Sequence, residues 1–372
     1  MARRTTPTKP ASAHGDSAAL ALAWREWVIE NLCSGRAPGD IVAGLRNAGV
    51  PAHVAKREVA ELANSPGLAV ALRLTHRLQR LELVAALARH HAGQDPFPTE
   101  IERRTLPSAT EFYRDYFATQ RPVVFTDVAA RWPARNRWSL AYFRRILGHE
   151  IVDVVVGRAA DPRYDQNTAL HAKRMPLAKY LDLVAAAGHS NDLYLVANNH
   201  AMAHPAFARL LNDVRIPDGI IVDTRPTATS LWIGPAGTVT PLHHDTTNIL
   251  FSQLVGRKRF ELIAPTETVL MLDPMDSFYS PVDLDQRHRA EHPALRALQV
   301  RTVELGPGDT LFLPAGWWHR VSSLDVSISF SLLGFAGAGA VDWYRPGLVG
   351  TKLVNPPKAK PPRATKATKA RR

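Results

Sequence analysis

Over 372 residues, 45% of them hydrophobic with 8 Trp and 12 Phe, the chain holds enough apolar mass for one large domain and a smaller one. Its single cysteine, Cys33, excludes an intrachain disulfide framework and a cysteine-rich zinc site. The net charge of +12 is concentrated at the ends: ten bases and no acid fall in residues 1–15 and 356–372, leaving +2 on residues 16–355.

The expected contact with nucleic acid is therefore only nonspecific attraction by basic tails, and a solubilising role explains them as well. No run reaches the ~18 apolar residues of a membrane span, and no apolar signal-peptide core opens the chain. The expected setting is cytoplasmic, with no membrane. Residues 1–16 and 350–372 are expected to be disordered, being Pro, Lys, Ala and Thr with little to bury.

Residues 17–95 are expected to form a helical domain. Leu20, Trp24, Trp27 and Val28 share one stripe at helical spacing. Asp40 offers an N-cap and Gly49 a stop, Pro51 opens a third helix, and "LAVALRLTHRLQRLELVAALARHH" makes a longer fourth. His76, His90 and His91 have no carboxylate at ligand spacing and are expected on the surface.

From about residue 100 to 345 a second, larger domain is expected. It begins with a helix, a short strand around Pro122 to Thr126, a helix from Ser139 and a strand from Ile151 to Val156. Short β-rich runs punctuated by Gly, Pro and Asn follow, among them "TSLWIGPAG", "NILFSQLVG", "KRFELIAP" and "VSISFSLLG". The pattern predicts a mainly β sandwich or barrel preceded by an α-helical bundle.

One constellation in that region points to chemistry. In "TPLHHDTTN" strand alternation lets His243 and Asp245 converge on one ion while His244 points to the other face. A His and a carboxylate supply two of the three ligands of a facial triad for non-haem Fe(II), which leaves positions open for other ligands. "GPGDTLFLPAGWWH" offers the third, His319, after two turns. The two histidines are 76 positions apart, from 243 to 319, too far for local pairing, and they fit one site if two antiparallel strands of a closed jelly roll bring them together.

Lys258 shares the apolar face of its strand with Phe260 and Leu262. A buried cation needs an anion, and a carboxylate of a small cosubstrate would provide one. The alternative is a lysine that snorkels to water from a strand end.

These motifs, together with "RPVVFTDVAARWPARNRWS", "DLYLVAN" and "SPVDLD", resemble the cupin-like JmjC family of Fe(II)- and 2-oxoglutarate-dependent oxygenases over about residues 105–335. The likeness is to its small hydroxylase branch. It implies a double-stranded β-helix, the jelly roll of cupins, with His243, Asp245 and His319 on the metal. It also implies that Lys258, Thr240 and Tyr194 hold the distal carboxylate of 2-oxoglutarate.

Where relatives usually carry Asn, this chain has Ile249, with Asn248 one place early, and a second such position falls at Ser331. Asn248 and Ser331 are the candidates at these two positions of the cosubstrate side, and either departure would alter how the cosubstrate or dioxygen is oriented. His244 and Trp318 are candidates for the substrate side, although Trp317 and Trp318 could equally fill the core.

The implied reaction hydroxylates a protein or peptide side chain and releases succinate and CO2, with demethylation as a variant. Non-catalytic cupin-fold binding, and oxidation of RNA or a small molecule, are the alternatives. The helical domain would recognise the substrate or form a homodimer.

Overall fold

The computed structural model describes residues 20–92, 100–196, 201–267, 270, 278–289 and 293–336. The basic ends, and with them the expectation of disorder there, lie outside the described residues. The chain divides into two compact units, one of Met1–Ile101, Glu261–Leu270 and Val282–Val303, the other of Glu102–Phe260, Met271–Pro281 and Glu304–Arg372. Among the described residues no helix is long and apolar enough to cross a membrane.

The first unit contains four helices, α1 (Leu22–Cys33), α2 (Pro38–Asn47), α3 (Ala52–Ala63) and α4 (Pro66–Ala92). Trp24, Val28 and Leu32 of α1, Ile41 and Leu45 of α2, and Val54, Val59 and Leu62 of α3 form one buried apolar cluster. Gly49 ends α2 as its residue type predicts. At φ +93° it lets its own amide reach Arg46 O and that of Val50 reach Leu45 O, the paired bonds of a glycine C-cap. Asp40 is not the N-cap: Pro38 opens α2 after Ala37, which places Asp40 in the first turn, where its charge still suits the helix dipole.

Most of the strands fall in the second unit. The strands are β1 (Glu102–Arg104), β2 (Val123–Phe125), β3 (Ile151–Val156), β4 (Ala172–Pro176), β5 (Leu193–Tyr194), β6 (Ile221–Asp223), β7 (Thr229–Gly234), β8 (Val239–His244), β9 (Ile249–Val255), β10 (Lys258–Ile263), β11 (Arg301–Leu305), β12 (Thr310–Leu313), β13 (Trp318–Ser323), β14 (Ser327–Leu332) and β15 (Gly334–Phe335). They make a six-stranded sheet ordered β1-β2-β12-β9-β14-β7 and a four-stranded sheet ordered β11-β10-β13-β8, with a β4-β3-β5 sheet and a β15-β6 pair. Successive strands alternate between the two larger sheets, β7 to β8, β9 to β10 and β12 to β13, as they do in a jelly roll.

The core lies on one side of the six-stranded sheet. Leu231, Ile233, Leu250, Phe312, Ile328, Phe330 and Leu332 bury their side chains there. Two helices, α5 (Leu140–Leu147) and α6 (Leu177–Ala186), cover it with Phe143, Leu147, Leu177, Tyr180, Leu181 and Val184. Ser139 caps α5 by accepting from the amide of Tyr142, and Tyr180 Oη donates to Ile233 O at 2.6 Å. Strand β9 is buried over almost its whole length, as expected of a strand covered on both faces.

Candidate metal centre

β8 and β13 run antiparallel with His319 directly opposite His243. The ring centroids are 4.0 Å apart. Asp245 follows the last residue of β8, and His319 Nε2 lies 3.4 Å from its Oδ2. One ligand atom from each of His243, Asp245 and His319 falls within 4.8 Å of the others, a span that small side-chain movements bring to one ion with bonds of about 2.1 Å.

Backbone carbonyls set the tautomer of both rings. His243 Nδ1 is 2.8 Å from Pro241 O, and His319 Nδ1 is 2.8 Å from Trp317 O. A carbonyl can only accept, so each Nδ1 carries a proton and Nε2 is the nitrogen left to meet an ion. Desolvation and the adjacent His319 push His243 down to about 4, so it is neutral near pH 7. Desolvation of Asp245 is outweighed by its bond to His319 and by both histidines, which hold it at about 2 and ionised. Two imidazoles beside a carboxylate form a donor set suited to a divalent ion.

The register of β8 contains a feature that alternation alone does not predict. His319 pairs with His243, but Val321, two residues on, pairs with Thr240, three residues back. Three steps on β8 thus oppose two on β13, a bulge at Pro241–Leu242. Thr240 and His243 therefore both line the cavity despite their odd spacing, while Leu242 is buried elsewhere. The same bulge supplies the Pro241 carbonyl that orients His243.

The turns that carry the triad are tied together. Gly316 N donates to Asp245 O at 2.8 Å, and Ala315 N donates to Asn248 Oδ1 at 2.9 Å. Asn248 is thus a buried brace between two loops and does not line the cavity, contrary to the expected cosubstrate role; Ile249 lines it instead. Placing Asn one residue early turns its side chain away from the cavity.

The cavity measures about 490 Å³ and contains His243, Asp245 and His319 in its wall, with Lys258, Tyr194, Thr240 and Ser331. Lys258 is only 1% exposed. Its Nζ donates to Tyr194 Oη at 2.9 Å and lies 5.3 to 5.7 Å from the ring centres of Tyr194, Phe251 and Trp232. Snorkelling is excluded by this burial, and no carboxylate pairs with Lys258 among the described residues. Desolvation pushes its ammonium down to about 7. Burial raises Tyr194, which also bonds the Thr240 side chain. Ser331 Oγ accepts from Trp232 Nε1 at 3.1 Å.

His244 and Trp318 do not reach this cavity. They pack edge to face at 4.6 Å beyond the other side of the β8–β13 pair, with Phe278 also against His244. Trp317 is likewise buried outside it, its Nε1 bonded to Gln120 O at 2.8 Å. Alternation explains the placement of His244, because a neighbour of His243 on a strand must face the opposite way.

Two parts of the site were not foreseen. Tyr279 lines the cavity and stacks on His243 at 5.5 Å, its segment bridging onto β8 through His243. Its only sequence mark is an aromatic two places before Pro281. Arg158 is fully buried between the rings of Tyr164 and Tyr194, at 4.3 and 5.2 Å, and its Nη2 donates to Asp165 Oδ1 and Val239 O, both at 2.9 Å. "GRAADPRYD" after β3 was the available signal, two arginines and two aspartates just past a strand end.

The chain matches the family described as Cupin-like domain over residues 109–333. It is 33% identical over 242 residues to a protein of Arabidopsis thaliana named Lysine-specific demethylase JMJ30, covering 62% of this chain and 54% of that one. Identity is 29% over 245 residues to Jumonji C domain-containing protein 5 of Drosophila melanogaster, covering 62% and 59%. It is 28% over 244 residues to the human Bifunctional peptidase and (3S)-lysyl hydroxylase JMJD7, covering 58% and 77%. The chain spans little more than half the length of the first two. The jelly roll, the His-Asp-His cluster and a match across residues 109–333 agree, and the chain belongs to the JmjC-type cupin-like domain family.

Proposed function

We propose that the protein is an Fe(II)- and 2-oxoglutarate-dependent oxygenase that hydroxylates a protein side chain. The observation that carries this reading is Lys258. A buried ammonium with no carboxylate partner among the described residues, in the same cavity as three metal-type ligands, fits a small dicarboxylate that reaches both.

His243, Asp245 and His319 would hold the iron, which supplies dioxygen activation coupled to conversion of 2-oxoglutarate into succinate and CO2. Lys258, with Tyr194 and Thr240, would bind the distal carboxylate and so fix the orientation of the cosubstrate. Ile249, Phe251, Phe260 and Leu313 supply an apolar wall that limits water around the reacting groups. Pro241 O and Trp317 O accept from the two Nδ1–H groups and so keep each Nε2 aimed at the site where the ion would bind.

Relatives named for lysine demethylation and for lysyl hydroxylation make lysine the first side chain to test as substrate. Peptide libraries incubated anaerobically with protein, Fe(II) and 2-oxoglutarate, then exposed to air, should gain one oxygen atom at a single residue as succinate forms. Loss of a methyl group with formaldehyde would assign demethylation instead. Succinate production unchanged in Lys258→Met and in His243→Ala would remove the proposal.

A further inference from the structure

Helix α4 is 27 residues long, packed at its beginning and held near its end by Arg89, which donates to Thr266 O, with the stretch between them left bare. Leu68 is buried and Ala71, Leu72 and Thr75 are partly covered, whereas every residue from 76 to 84 is exposed. Of the 13 exposed large apolar side chains among the described residues, seven lie on this helix: Val70, Leu74, Leu78, Leu81, Leu83, Val84 and Leu87. A helical segment projecting into water gains little from its own hydrogen bonds, and most helical stability in proteins comes from packing. So many apolar side chains on one projecting helix mark an interaction surface.

The spacing indicates what covers it. Val70, Leu74, Leu78, Leu81, Ala85 and Ala88 follow one another at intervals of four, four, three, four and three residues, close to the repeat that keeps one seam facing a neighbouring helix. We propose that α4 pairs antiparallel with α4 of a second copy of this chain. At roughly 100 Å² of exposed surface apiece, the five on or beside the seam, Val70, Leu74, Leu78, Leu81 and Val84, would bury about 500 Å² per copy, about 1,000 Å² in total, the lower end of specific interfaces.

A seam repeated on both halves of one helix is self-complementary, as a twofold interface requires. Charge favours the antiparallel sense, because Arg73, Arg77 and Arg80 would stack on their own equivalents in a parallel pair. Leu83 and Leu87 lie off the seam, on the side of the helix that continues from the bundle-facing Leu72.

Sedimentation equilibrium of the full chain across the micromolar range, with hydrogen exchange on the same samples, tests the assignment. The expected result is twice the chain mass, with amides 76–88 protected in proportion to the dimer. Leu78→Glu with Leu81→Glu should weaken association at least about tenfold. Three results would overturn it: a monomer at every concentration with 76–88 exchanging freely, a monomer with 76–88 protected by its own chain, or a double variant that dimerises like the wild type. The wild-type exchange data decide the matter even if the variant misfolds.

Discussion

His319 stands directly across β13 and β8 from His243, and each ring is oriented by the carbonyl two residues before it. The two halves of the donor set are thus positioned by sheet register and backbone, and neither ring needs a side-chain partner to fix its tautomer. Replacing one ligand removes a donor without touching that scaffold. His243→Ala, Asp245→Ala and His319→Ala should each weaken Fe(II) binding at least about hundredfold, beyond the 10–100-fold typical of outer-shell changes. Anaerobic titration reads the affinity, and unchanged far-UV circular dichroism shows that the fold survives. Wild-type affinity in any of the three would remove that residue from the centre.

Lys258 sets up a pH dependence of opposite sign to that of an ordinary surface lysine. Desolvation lowers its folded value to about 7 against an ordinary 10.5. Below pH 7 the protein must bury a charge that the unfolded chain leaves in water. As pH rises from about 7 towards 10.5 the folded state has lost the proton while the unfolded state still holds it, so this cost disappears. Lys258→Met should therefore be more stable than the wild type at pH 6, by an amount on the order of a few kcal/mol, and lose that advantage by about pH 10. Urea unfolding of both proteins across that window measures it. The same variant should raise the KM for 2-oxoglutarate far more than it changes metal affinity.

Much of this site was legible before any coordinates. The parity of His243 and Asp245 excluded His244, the turn before His319 marked a second strand, and the alternation around Lys258 put a cation on an apolar face. Ile151–Val156 appears as the strand its sequence suggests. What stayed hidden depends on register and long-range packing. The bulge at Pro241–Leu242 breaks the two-residue period, and no local pattern marks Asn248 as a brace to Ala315. Tyr279 reaches His243 only because residues 278–280 bond beside β8.

Arg158 illustrates how a residue outside the cavity wall can act on it. Its Nε and Nη1, and Asp165 Oδ2, are buried without hydrogen-bond partners among the described residues, and burial raises the Asp165 carboxyl to about 6 against the pull of Arg158. Removing only one partner leaves a buried charge alone, at a cost of about 3–5 kcal/mol, whereas replacing both with apolar residues costs much less. Arg158→Met should thus be more destabilising than Arg158→Met with Asp165→Leu, a non-additivity that a thermodynamic cycle measures. Because Arg158 packs on Tyr194 and bonds Val239 O, the double variant should raise the KM for 2-oxoglutarate with little change in kcat. A fall in kcat alone would contradict this positioning role.

Gly256 governs the entry to the strand that carries Lys258. It sits at φ +68°, and a Cβ there would lie 2.1 Å from Val326 O. The chain around it is held closely: Gln253 Nε2 donates to the carbonyls of Val255 and Gly256, Arg257 pairs with Asp325, and Leu324 N donates to Arg257 O. An alanine must shift either its own backbone or that of Val326, and the left-handed conformation adds strain of about 1–3 kcal/mol. Gly256→Ala should lower stability by at least that amount in urea unfolding. The displacement begins two residues before Lys258, so affinity for 2-oxoglutarate should fall while the Fe(II) affinity of the His243, Asp245 and His319 set stays near wild type. Equal losses of both would mean that the turn supports the whole jelly roll and not the lysine in particular.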